Sequence, residues 1–104
     1  MKVVMMVPIT KPEGGIVFLH KDFDLPFAPY IGMEIECCIF NAPKKVTHAS
    51  LIFDSDYENP YVYIPLELLE TSNEAEQKRR VEAYKDDGWT TGEKRCRVSQ
   101  QSKP

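Results

Sequence analysis

The chain has 104 residues, 42% of them hydrophobic and 28% charged, with a formal net charge of −3. That length supports a single hydrophobic core, and no apolar run approaches the roughly 20 residues that a membrane-spanning helix needs. The acidic balance works against general binding of phosphate backbones.

The longest apolar run, residues 3–7, follows one lysine and precedes no small-residue cleavage site, so the sequence predicts no secretory leader and a cytoplasmic protein. Cys37, Cys38 and Cys96 are too few to make a paired disulfide framework. They read as reduced thiols, with Cys37 and Cys38 on opposite faces of a strand. Charge is uneven along the chain. Lys94, Arg95, Arg97 and Lys103 against Glu93 give residues 93–104 a net +3, leaving about −6 on residues 1–92. The expected organisation is one domain over 1–92 and a flexible basic tail over 93–104.

In chain order, residues 3–9 (VVMMVPI) predict a strand covered on both faces, with Pro8 at its end or at an edge. Residues 10–15 are turn formers and allow a hairpin into a second strand from Ile16. Along that strand Val17, Leu19, Lys21, Phe23, Leu25 and Phe27 share one side, and Phe18, His20, Asp22 and Asp24 the other. Residues 25–35 (LPFAPYIGMEI) form a corner in which Pro26 and Pro29 restrict the backbone and Gly32 frees it. Leu25, Phe27, Ile31 and Ile35 are its expected core side chains.

Alternation of Met33, Ile35, Cys37 and Ile39 with Glu34, Glu36, Cys38 and Phe40 predicts a half-buried strand over 32–41. Further strands are expected over 45–53 and 61–66, Pro65 marking an edge or an end. Beyond them, Thr71 with Glu74 and Asn73 with Glu76 offer overlapping capping boxes for a helix over 73–87. Its apolar stripe is thin: Ala75, Val81, Ala83 and Tyr84. Gly88 stops it, and Trp89 is placed to fold back and anchor it to the sheet. The fold class that follows is α+β: about five mainly antiparallel strands, curled or barrel-like, with one C-terminal helix packed on them.

Three constellations could carry chemistry. His20, Asp22 and Asp24 at alternate positions of one strand, with His48 nearby, are candidate ligands for a divalent metal; they would make a small metal-dependent enzyme. No HExxH or CxxC spacing accompanies them. Tyr30, Tyr57, Tyr61 and Tyr63 are candidate binding aromatics, for a protein surface or for bases stacked on a sheet. With the basic tail they define a single-stranded nucleic-acid binder, which the acidic body disfavours. Asp54, Asp56 and Glu58 alternate like the opening of a calcium loop, but Asn59 and Pro65 replace the glycine and glutamate such a loop requires.

Glu34 and Glu36 around Cys37 and Cys38 disfavour a reactive thiolate, whereas Cys96 sits among Lys94, Arg95 and Arg97 in the tail. No catalytic set converges, and no cofactor is implied. The leading expectation is a non-enzymatic protein-binding or adaptor module. Its partner is a protein or a second copy of the chain, since a small core and a thin helix stripe favour self-association.

Overall fold

The computed structural model describes residues 1–53 and 60–91. The loop over 54–59, including Tyr57 and the calcium-like alternation, lies outside the described residues, as does the tail from 92, including Cys96. The first two strands, β1 (Lys2–Thr10) and β2 (Ile16–Asp24), form the expected hairpin, in antiparallel register from Lys2 opposite Asp24 to Thr10 opposite Ile16. Two short strands follow, β3 (Glu34–Ile35) and β4 (Lys44–Lys45), paired only with each other. The chain then returns to the main sheet through β5 (Ser50–Ile52), β6 (Tyr61–Pro65) and β7 (Leu69–Glu70). The helix α1 (Glu74–Asp86) and a last strand β8 (Thr90–Thr91) complete the described fold.

The α+β class holds, with two refinements. The main sheet runs β5-β6-β1-β2-β8, with β7 beside β1, and is open rather than closed into a barrel. It is also mixed, because β6 and β7 both run parallel to β1. Hairpins make sequence neighbours antiparallel. The excursion through residues 25–49, however, returns the chain as β5 at the outer edge of the sheet, and β6, antiparallel to β5, then lies beside β1 in β1's own direction; no local pattern encodes that.

Pro8 lies inside β1, not at its end. In a strand, the N–H and C=O of one residue point to the same side. The Met6 carbonyl accepts from Leu66 N–H at 2.8 Å and the Thr10 carbonyl from Thr71 N–H at 3.0 Å, so Pro8 also addresses the β6/β7 side. There the partner of β1 changes from β6 to β7, and the missing donor falls at the break in the ladder.

The strand expected over 32–41 shrinks to two residues. After Ile35 the chain turns, closed by Phe40 N–H to the Cys37 carbonyl at 2.9 Å. Ile39 and Phe40 are adjacent, yet both pack against the core, which a strand's alternation would forbid. The expected strand over 45–53 likewise divides, because residues 47–49 are irregular between β4 and β5.

The corner differs from expectation as well. Leu25 and Ile35 are half-buried against the core, but Phe27 and Ile31 are 51% and 67% exposed, and the residue tucked inward is Pro29. Gly32 takes φ +94° and donates to the Val46 carbonyl at 2.9 Å, while Val46 N–H returns to the Met33 carbonyl at 2.9 Å. A Cβ at Gly32 would meet nothing within 4 Å, so backbone strain alone opposes substitution. Gly32→Val is expected to cost about 1–2 kcal/mol in chemical denaturation, and Ala28→Val, at an exposed position, to be close to neutral.

Helix α1 begins where the second capping box placed it. The Asn73 side chain accepts from Glu76 N–H at 2.8 Å. Glu76 reaches back to the N–H and hydroxyl of Ser72, both at 2.7 Å, and these bonds hold its carboxyl below the usual range. Thr71 is buried and caps nothing; its hydroxyl donates to the Thr10 carbonyl at 2.6 Å, tying the approach to the helix onto β1. The helix ends in a Schellman arrangement. Gly88, at φ +97°, donates to the Lys85 carbonyl, and Trp89 donates to the Tyr84 carbonyl, each at 3.0 Å.

Candidate functional site

The register of the sheet divides its side chains sharply. Val3, Met5, Val7 and Ile9 of β1, Leu19 of β2, and Val62 and Ile64 of β6 point to one face, where they join Val81 and Tyr84 of α1, Trp89, Val46, Leu66 and Leu69 in the core. Met33, Ile35, Ile39 and Phe40 of the β3–β4 lobe pack on the same cluster. The opposite face carries Val4, Met6 and Pro8 of β1, Phe18 and His20 of β2, and Tyr61, Tyr63 and Pro65 of β6. None of these eight belongs to the core cluster. Phe18 is 45% exposed, Ile16 beside it 52%, and Met6, Pro8, Tyr63 and Pro65 are half-buried. Val4, His20 and Tyr61 of this face are buried, so its exposed apolar surface is concentrated at Ile16 and Phe18, near the turn of the β1–β2 hairpin.

At its centre His20 is buried, and its Nε2 lies 3.2 Å from the Tyr63 hydroxyl, with ring centres 5.9 Å apart. The pair is diagonal across β1, since His20 stands opposite Met6 and Tyr63 opposite Val4. At one end of the face, Lys2 lies 3.5 Å from the Asp22 carboxylate and 5.9 Å from the ring centre of Tyr61. Asp24 takes the amino group of Met1 at 3.2 Å. The face thus mixes apolar side chains with the central His20–Tyr63 pair and carries charge at one end.

Of the candidate binding aromatics, the structure brings Tyr61 and Tyr63 together here, with Tyr61 buried and Tyr63 half-buried. Tyr30 lies apart, 64% exposed on the corner. The candidate metal ligands do not converge. His20, Asp22 and Asp24 share the face, but the two carboxylates hold cations already. His48 is exposed beside Thr47, just ahead of β5, and β1 and β6 separate β5 from β2. Among the described residues, a different trio does bring its ligand atoms within 4.8 Å of one another: Cys37, Cys38 and Asp87.

Two further features escaped the sequence. Lys44 is buried, with Nζ 5.7 Å from the Phe40 ring centre, beside a groove of about 610 Å³ lined by residues 41–44 and 67–70. Burial lowers its pKa, and nearby Glu67 opposes that shift. Because the unfolded chain holds this proton more tightly, the cost of burying charged Lys44 is relieved as pH rises from its depressed folded value toward 10.5.

Tyr84 moves the other way. Desolvation, aided by Cys37 and opposed by Arg80, pushes its hydroxyl up to about 12. The unfolded chain would ionise it near 10, so its contribution is intact below that pH and is lost between 10 and about 12. In an absorbance titration of tyrosinate, Tyr84→Phe should delete the component with its midpoint near 12 and leave the others. Loss of a component near 10 would contradict the assignment.

Compared with known proteins, the chain matches no family model, no curated protein and no solved structure. Among the described residues, no helix is long and apolar enough to cross a membrane.

Proposed function

We propose that this chain is a non-enzymatic protein-binding module that docks through the helix-free face of its sheet, and that a second copy of the chain is its partner. The observation that carries this reading is the exposure of Phe18 and Ile16 beside half-buried Met6, Pro8, Tyr63 and Pro65, on the face turned away from the helix. Exposed apolar and aromatic side chains bordered by charged ones are how protein interfaces are built. Aromatic anchors such as Phe18 and Tyr63 carry most of the energy in such contacts. Lys2 and Asp22 give the rim both signs of charge, so the same patch can meet itself about a two-fold axis.

Backbone amide spectra recorded over a dilution series test this. Shifts confined to β1, β2 and β6 residues of the face are expected on dilution; shifts confined to α1 would overturn the reading.

The same face gives the nucleic-acid reading its one specific support, because Phe18 and Tyr63 are aromatics on an open sheet. The acidic body opposes it. Retention on a single-stranded nucleic-acid column at low salt, abolished by Phe18→Asp, would favour it over the protein-binding reading. Flow-through is the expected result.

A further inference from the structure

The helix-free face leaves one chemically distinctive cluster unused, on the other side of the sheet. Cys37 and Cys38 lie in the turn after β3, and Asp87 is the C-cap of α1. Phe40, from the same turn, packs on Tyr84 and Trp89 with ring centres 6.2 and 6.0 Å apart, and so fixes the cysteines against the end of the helix. The two thiols and the carboxylate lie within 4.8 Å of one another, and Cys37 Sγ is 3.9 Å from Asp87 Oδ2. We infer that Cys37, Cys38 and Asp87 form a binding site for a thiophilic divalent cation of the zinc or cadmium type.

The donor set fits that class of ion. Zinc bonds of about 2.3 Å to sulfur and about 2.1 Å to oxygen put tetrahedral ligand atoms roughly 3.5–3.8 Å apart. The Cys37–Asp87 separation is already close to this, and the trio as a whole, within 4.8 Å, closes by at most about 1 Å to reach it. Two sulfurs and one carboxylate oxygen make three protein ligands and leave a fourth position to solvent. Hard cations such as magnesium and calcium prefer all-oxygen shells and are not matched.

The electrostatics favour a cation too. The carbonyl end of α1 carries negative partial charge, and Glu34 and Glu36 flank the turn on the sequence side. Two donors compete with the ion for Asp87 Oδ2: Lys21 Nζ at 3.5 Å and Trp89 Nε1 at 3.3 Å. Cys37 is half-buried and Cys38 exposed, so the ion has an open approach. On binding, each thiol transfers its proton to the buffer and its sulfur lone pair forms the bond to the metal; no oxidant or reductant takes part.

The test is a cadmium titration of the reduced full chain, followed by the ultraviolet charge-transfer absorption of cadmium thiolates. One cadmium per chain is expected. Cys96→Ser is expected to leave the affinity unchanged. Cys38→Ser, at an exposed position, should weaken binding by about a hundredfold, and Asp87→Asn by about tenfold. Thermal melts of both apo variants show whether the fold persists. A ratio of one cadmium to two chains, or an affinity that Cys38→Ser or Asp87→Asn leaves within about threefold, would overturn the site.

Discussion

Trp89→Ala is expected to remove about 3–5 kcal/mol of folding stability, as truncation of a large buried aromatic does. With total stabilities of about 5–15 kcal/mol for domains of this kind, that brings the chain close to unfolding. Trp89 is 1% exposed. Its ring centre lies 5.3 Å from that of Tyr84 on α1, 6.0 Å from Phe40 on the cysteine turn and 6.3 Å from Phe23 on β2. It therefore joins three segments that are distant in sequence.

Its Nε1 donates to Asp87 Oδ2 at 3.3 Å, so truncation also disturbs the helix end. The Lys21 ammonium donates to the Asp87 carbonyl at 2.6 Å and offsets an acidic residue at the wrong end of the helix dipole. Urea denaturation measures the loss. A cost below about 1 kcal/mol would mean that the three segments do not depend on this ring.

Gln77 gives the second large effect. It is buried on the inner face of α1, and its side-chain amide donates to the Ile9 carbonyl at 2.9 Å and the Gly15 carbonyl at 3.3 Å, clasping the turn end of the β1–β2 hairpin. Gln77→Leu keeps the bulk but strands two acceptors, and should cost about 1–3 kcal/mol. Gln77→Glu is the sharper variant. An ionised carboxylate facing two carbonyl oxygens is repelled, and only its protonated form can donate. Its folded pKa is therefore raised, and the contribution of the group is retained at low pH and lost as pH rises through that value. Melting of Gln77→Glu relative to wild type should improve from pH 7 to pH 4. An unchanged difference would show that the amide protons are not what the site uses.

These residues also mark what could be read in the sequence. The helix was legible at both ends, because Asn73 with Glu76 and Gly88 with Trp89 are local signals whose hydrogen bonds span only a few residues. The hairpin and the two-sided pattern of β2 were legible for the same reason. Gln77 sits four residues before Val81 and seven before Tyr84, so helical spacing points to it; its polarity hid it. The parallel pairing of β6 with β1 had no local signal.

Residues 32–41 misled because the alternation of Met33 and Ile35 runs on in sequence past the point where the backbone turns. That turn brings Cys37 and Cys38 to one place, where a strand would have separated them. The helix-free face was half legible. Tyr61 and Tyr63 stand out in the sequence, but Met6, Phe18 and Pro65 join them only through the register with β1, a long-range fact.

Light scattering across a concentration series reads the binding of a second copy of the chain to this face. Wild-type chain is predicted to rise from the monomer mass of 12.0 kDa toward twice that value. Phe18→Asp should stay monomeric at every concentration with an unchanged melting temperature. A wild-type chain that remains monomeric at high micromolar concentration, or a dimer indifferent to Phe18→Asp, would contradict the account.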